Sequence, residues 1–346
     1  MKRLYIGITL ALTSAALLSA CHRGPTQNAD GTISLTTATG NMASGLNAPY
    51  FVALANGYFK DQGIVPTIME VSGETSSTSM VSGSIQLNYS GSSAANAAVQ
   101  GLPVKVVASL SNVSTSLIYT VDPTVQKLSD LEGKTFGVQA LGDSYQEAAD
   151  LAFQAEGVDT SKVQFVPLGA GNRTTAIASG RVAAGALKKA EAQALISQGY
   201  NLRLLLDLGA QGIAQSTGGI ATSNNFIASN HDALVRYLYA WLQGVRFVQA
   251  FPDKASEITL AAPEMQATAM KPDVLLDSIK QFYIDIQLAD HFSIPPDAQT
   301  QLLDAKKQFL PNVKSGIAAT DVYDFGPIQE AEQKLDASGW KPVEQP

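Results

Sequence analysis

Cysteine is nearly absent from this chain: 346 residues contain one, Cys21. A single thiol excludes an internal disulfide and a cysteine-based zinc site. Histidine is scarce as well, with three widely scattered residues that leave little for transition-metal chemistry. Charge is thin at 15% of residues, and 30 acidic side chains outnumber 23 basic ones for a net charge of -7. Such a chain does not neutralise a phosphate ladder, so nucleic acid is not an expected partner. No cluster of five like charges occurs, which excludes an acidic interaction tail. Catalytic signatures are missing too. There is no GxxxxGK(S/T), HExxH or GxSxG, and Gly169-Ala170-Gly171-Asn172-Arg173-Thr174 lacks the third glycine of a dinucleotide loop. Without a nucleophile, base and orienter, the expectation is a non-enzyme with no cofactor and no metal. What remains is 45% apolar residues over a length that suits two ordinary α/β domains.

The first twenty residues read as an address. Lys2 and Arg3 precede an apolar stretch over 4–18, too short to span a bilayer, which takes about 20 residues, but right for a signal-peptide core. It ends in Leu18-Ser19-Ala20-Cys21, which resembles a bacterial lipobox. Small residues at 19 and 20 fit the peptidase, and the Cys21 sulfur is the nucleophile that takes the lipid. The expected mature chain is therefore held to a membrane face without spanning it, in the periplasm or at the cell surface. Residues 21–31 read as a flexible tether.

From residue 33 onward, apolar runs alternate with helical patterns, the signature of βα units and largely parallel sheets. Strands are predicted at 33–38, 65–71, 85–89, 104–110 and 117–121, then at 135–139, 163–166, 182–187 and 202–206. One helix is expected to run from Asn47 to Gly63, with Pro49 in its first turn. After the glycine-rich stretch 209–219 the pattern turns to long helices. Leu234, Leu238, Trp241, Val245 and Val248 form a core stripe, as do Leu275, Ile279, Phe282 and Ile286.

Four segments together carry a family resemblance over nearly the whole mature chain. They are Asn47-Ala48-Pro49-Tyr50-Phe51-Val52-Ala53-Leu54-Ala55-Asn56-Gly57-Tyr58-Phe59-Lys60, Leu128 through Val138, Phe165 through Gly169, and Ala178 through Ala184. The set resembles nitrate/sulfonate/taurine-type solute-binding proteins, the receptors of ATP-driven importers, which are grouped with pyrimidine-precursor-binding relatives. The resemblance implies a type II periplasmic-binding-protein fold, two α/β lobes that close by hinge motion on a small molecule. The expected division is a leader over 1–20, a tether over 21–31, lobe 1 over 32–116 and 218–346, and lobe 2 over 117–217. Crossings are expected near 113–120 and 213–222. Implied partners are a small polar or anionic organic solute (a sulfonate, carboxylate or similar), a permease and its ATPase, with the chain a monomer. The alternative is an enzyme or sensor-input protein of the same fold, acting on a pyrimidine-like or other small metabolite.

Ligands of open α/β sheets sit beyond the carboxyl ends of the strands, which selects the candidate site residues. Ser90, Ser92 and Ser93 open one helix, and Asp143 and Ser144 another. Two helix N-termini facing one cleft would favour an anion, although each side chain can equally serve as its own helix cap. Lys188 follows a strand and can pair with an anionic group. Asp143 would favour a ligand ammonium or hydrogen-bond donor instead. Asn47, Asn112, Thr115 and Thr217 are polar candidates at a loop and the two crossings. Of Tyr50 and Phe51, one is expected to stack on a flat ligand and the other to enter the core. Arg173 is expected to be structural.

Overall fold

The computed structural model describes residues 25–71, 73–141, 143–211 and 214–344. The expected leader and Cys21 therefore lie outside the described residues. Among the described residues thirteen strands are formed: β1 (Thr26–Gln27), β2 (Ile33–Thr39), β3 (Ile64–Glu70), β4 (Leu87–Asn88), β5 (Val104–Ala108), β6 (Ser111–Val113), β7 (Ser116–Thr120), β8 (Thr135–Val138), β9 (Gln164–Pro167), β10 (Ala184–Lys188), β11 (Arg203–Asp207), β12 (Ala214–Thr217) and β13 (Ile220–Ser223). β2 lies between parallel β3 and β4, and β13 enters antiparallel between β4 and β5. The second sheet runs β11-β7-β10-β8-β9, with β8, β9 and β10 parallel and β7 antiparallel to β10 and β11.

The two sheets thus share one plan. In each, one antiparallel strand lies between two neighbours and is the one the chain enters from the other sheet, β7 outward and β13 on the return; β1 adds a further antiparallel pair at β2. Each sheet has its own core. Lobe 1 is built around Leu35, Val106, Leu234, Leu238 and Ile328, and lobe 2 around Ile118, Phe136, Phe153 and Ala186. β6 and β12 pair antiparallel where the chain crosses between them.

Lobe 1 is closed by the helix His231–Ala250, whose buried residues include Leu234, Leu238, Trp241, Val245 and Val248, the stripe read from sequence. It packs against the helix Ala48–Ala55 at Gly244, where an added Cβ would stand 2.2 Å from the Pro49 carbonyl oxygen. Its Tyr237 hydroxyl lies 2.8 Å from both Thr37 Oγ1 and Tyr89 Oη, so three buried hydroxyls satisfy one another inside the apolar core.

Several expectations are corrected. The helix from Asn47 to Gly63 is two helices, Ala48–Ala55 and Tyr58–Asp61, because Gly57 takes a left-handed φ of 77°. The C-terminal part of the supposed tether is folded: Thr26 and Gln27 pair with β2, and Asn28 bonds Thr32 and Ser34. Residues 116–120, expected within the first crossing, are already β7. The glycine-rich stretch and the residues just after it hold β12 and β13.

Candidate ligand-binding site

The crossings fix where a cleft must be. In lobe 1 the chain leaves after β5 and returns into β13, whose Ala221 pairs with Asn88 at the carboxyl end of β4. In lobe 2, Lys188 at the carboxyl end of β10 pairs with Ser116 at the start of β7. The carboxyl ends of both central parallel strands therefore border the crossings, the position where open α/β sheets receive ligands.

On the lobe 2 side, Lys188 Nζ donates to Thr115 Oγ1 at 2.7 Å and to Ser116 Oγ at 3.1 Å. That occupies two of its three N–H groups and leaves one for an incoming acceptor. Lys188 also sits at the N-terminus of the helix Lys189–Ser197, where its backbone N–H donates to Glu191 Oε2 at 2.8 Å. Glu191 reaches back with its other oxygen to Arg173 Nη2 at 2.5 Å. Arg173 lies fully buried beneath this assembly and donates to the Ala186 carbonyl, while its Nε has no partner. Its guanidinium stacks 3.7 Å from the centroid of Tyr145, and Lys188 Nζ is 5.5 Å from the same ring. Burial pushes the Lys188 ammonium down to about 8; Glu191 opposes this and Arg173 adds to it. Burial also raises the Tyr145 phenol, with the Glu191 charge acting in the same direction.

Asp143 does not turn to a ligand. Its Oδ1 accepts from the Tyr145 and Gln146 amides, and Oδ2 from those of Gln139 and Ala140. Four backbone donors fill both oxygens, so the carboxylate caps the helix Ser144–Ala155 and binds its own turn. Burial nonetheless raises its titration. Ser144 is the first residue of that helix.

On the lobe 1 side, the helix Gly91–Val99 starts beside the return crossing, and a Cβ on Gly91 would stand 3.4 Å from the Gly218 carbonyl oxygen. Ser90 Oγ donates to Ser93 Oγ at 3.0 Å, and Ser92 Oγ donates to Glu147 Oε2 on the lobe 2 helix Ser144–Ala155 at 2.6 Å. Asn112 Nδ2 donates to the Ser293 carbonyl at 2.8 Å, which binds the first crossing to lobe 1. Thr217 lies in β12 opposite Ser111.

Two expectations fail here on geometry, a ligand-facing Asn47 and a ligand-facing ring from the Tyr50 and Phe51 pair. Asn47 is buried, with Nδ2 donating to the Asn41 and Met42 carbonyls and Oδ1 accepting from Thr39, so it staples the loop after β2. Tyr50 and Phe51, each 1% exposed, both enter the lobe 1 core, where Tyr50 meets Phe59 and Tyr89. Neither ring is presented to a ligand, because the helix carrying them is covered by His231–Ala250.

The residues brought together are Thr115 and Lys188, joined by Ser116, Tyr145, Glu191 and Arg173. Ser116, Tyr145 and Glu191 were missed. A Lys-x-x-Glu spacing at the start of a helix was the available signal for Glu191. Among the described residues no His, Cys, Asp and Glu group of three or more is arranged to hold a metal ion. Surface shape alone would point elsewhere. A depression of about 430 Å³ lined by Asp122, Lys134, Thr135 and Arg181 lies at the opposite end of β8, and its Lys134 is already paired with Asp122 at 3.0 Å.

Comparisons with known proteins bear on the fold and the family. The riboflavin-binding protein RibY of Chloroflexus aurantiacus is 28% identical over 297 residues, which is 79% of this chain and 83% of that protein. The nitrate-binding protein NrtA of Synechocystis PCC 6803 superposes with a TM-score of 0.68 at 13% identity, covering 91% of this chain and 90% of its own. The alkanesulfonate-binding protein SsuA of Xanthomonas axonopodis pv. citri, solved with MOPS bound, gives 0.65 at 17% identity, covering 84% and 98%. At these identities the two structures speak for the fold, that of the periplasmic binding proteins. A family profile described as NMT1/THI5 like matches residues 46–255, more than half of the sequence, and the chain belongs to that family.

Proposed function

We propose that the protein is an extracytoplasmic solute-binding receptor of an ABC importer, anchored through a lipid on Cys21, that closes on a small polar or anionic organic solute. The observation that carries this reading is the Lys188 ammonium, held by Thr115 and Ser116 at the crossing end of lobe 2 with an N–H to spare. A positive group in that place suits a carboxylate or sulfonate oxygen. Hinge closure would stabilise the complex through contacts made only when the lobes meet. A permease and its ATPase would receive the solute from a monomer. The fold neighbours, a nitrate-binding and an alkanesulfonate-binding protein, support the same class.

A second reading is favoured by one observation, the relative RibY, whose name states riboflavin binding. On that reading the solute is a flat heteroaromatic, and the Lys188 N–H meets a ring carbonyl in place of a carboxylate.

Thermal-shift and tryptophan-fluorescence titrations test both against nitrate, alkanesulfonates, taurine, aromatic carboxylates, pyrimidines and riboflavin. Stabilisation by a sulfonate or carboxylate supports the first reading, and stabilisation by riboflavin alone supports the second. A folded protein that none of these solutes stabilises overturns both. Turnover of a bound solute would make the protein an enzyme of this fold.

A further inference from the structure

Glu147 belongs to lobe 2, on the helix Ser144–Ala155, yet its carboxylate is held by lobe 1. Ser92 Oγ donates to Oε2 at 2.6 Å and Lys306 Nζ to Oε1 at 2.9 Å. Lys306 also donates to Asn96 Oδ1 at 2.8 Å, one helical turn beyond Ser92. The pair is out of water, with the Lys306 side chain 3% exposed and that of Glu147 10%. Glu147 and Lys306 sit on the helices Ser144–Ala155 and Pro296–Phe309, which meet again where Gln154 Nε2 donates to Gln308 Oε1. The Tyr323 hydroxyl, buried without a partner, is close enough to Glu147 for the carboxylate to help raise its titration, after the larger effect of burial.

We infer that Ser92, Asn96 and Lys306 form a carboxylate-receiving notch whose occupant is Glu147, a latch that holds the lobes shut and sets solute affinity without touching the solute. The inference rests on the receptor reading above, in which the lobes part to admit a ligand. Both oxygens of Glu147 have a donor only when the lobes are together. Removing either charge leaves the other buried and uncompensated in the closed form, while the open form hydrates it. The equilibrium then shifts toward opening, and apparent affinity falls by the fraction of closed protein lost, whatever the solute's chemistry. Ser92 is thereby reassigned from ligand contact to lobe contact.

The interlobe distance tests this with no solute present. In the full chain, Cys21→Ser removes the one native cysteine, and Glu156→Cys, just past the end of Ser144–Ala155, with Asp304→Cys on Pro296–Phe309 places spin labels at exposed positions on the two lobes. Pulsed dipolar spectroscopy should give one short distance for the otherwise native chain. Lys306→Met and Glu147→Gln should each raise the open-to-closed ratio by about tenfold or more, and the charge swap Glu147→Lys with Lys306→Glu should recover the short distance. Glu147→Gln keeps the Ser92 bond and nearly the same volume, so it guards against a variant that merely misfolds. An unchanged distance distribution in both single variants overturns the latch. Because no ligand enters the measurement, a failed latch and a failed solute panel are separate results.

Discussion

Lys188 Nζ lies 2.7 Å from Thr115 Oγ1, so the end of β10 is tied by a charged hydrogen bond to the residue that brings the chain in from lobe 1. Substituting Lys188→Met keeps the stem and removes the charge. Isothermal titration with an anionic solute from the panel should show a loss of about 1–3 kcal/mol. The native protein should also lose affinity above about pH 8, where the ammonium gives up its proton. Its titration in the folded state lies below the ordinary lysine value of 10.5, so between these values the unfolded chain holds more protons. Native stability should therefore gain a positive slope with pH in that window, and Lys188→Met should remove it. Equal affinity in the variant would return Lys188 to a structural role.

Asp150 gives the opposite sign. It is 2% exposed, and burial raises its carboxyl to about 7; a bond from Gln146 opposes this and the Glu147 charge reinforces it. The folded state therefore binds more protons than the unfolded one between about pH 4 and 7, and stability falls as pH rises through that range. Asp150→Asn should flatten the profile and stabilise the protein at about pH 8 by on the order of 2 kcal/mol. Urea unfolding midpoints at acid and alkaline pH measure this directly.

Arg173 depends on Glu191. The guanidinium is 1% exposed and its side-chain ion partner is that single carboxylate. Glu191→Ala should cost about 3–5 kcal/mol by leaving a buried cation uncompensated. Adding Arg173→Met should recover much of that loss, which thermal unfolding of the single and double variants will reveal. Additive losses would mean that the pair contributes nothing as a pair.

Gly244→Ala tests the contact between the two lobe 1 helices. Its new Cβ would meet the Pro49 carbonyl oxygen at 2.2 Å, and backbone cannot step aside as a flexible side chain can. A loss of about 1–3 kcal/mol in calorimetry is expected.

Most strands of both sheets were legible because they are short apolar runs buried on both faces, as in Val104–Ala108 and Ala184–Lys188. β13 was hidden by its own composition. Ile220, Ala221, Thr222 and Ser223 follow Gly218 and Gly219, and after the single large Ile220 the three small side chains suit a central strand packed between neighbours but give no periodic signal. Lys188 and Thr115 could be chosen because strand ends select them. The direction of Tyr50 and Phe51 could not, since both faces of Ala48–Ala55 are apolar and only the position of His231–Ala250 decides which are covered. Glu147 and Lys306 were invisible for a plainer reason. Their bond joins segments far apart in sequence and exists only across the gap between lobes.

The exchange of one strand between the sheets has a consequence for synthesis. When a ribosome has released residues up to about 210, all five strands of the second sheet, β7 through β11, are already free to pair. The first sheet then still lacks β13, the member that separates β4 from β5, together with the long helix that seals its core. The later half of the growing chain thus matures before the earlier half, and the N-terminal strands wait, with an open seam, for a piece made more than a hundred residues after them.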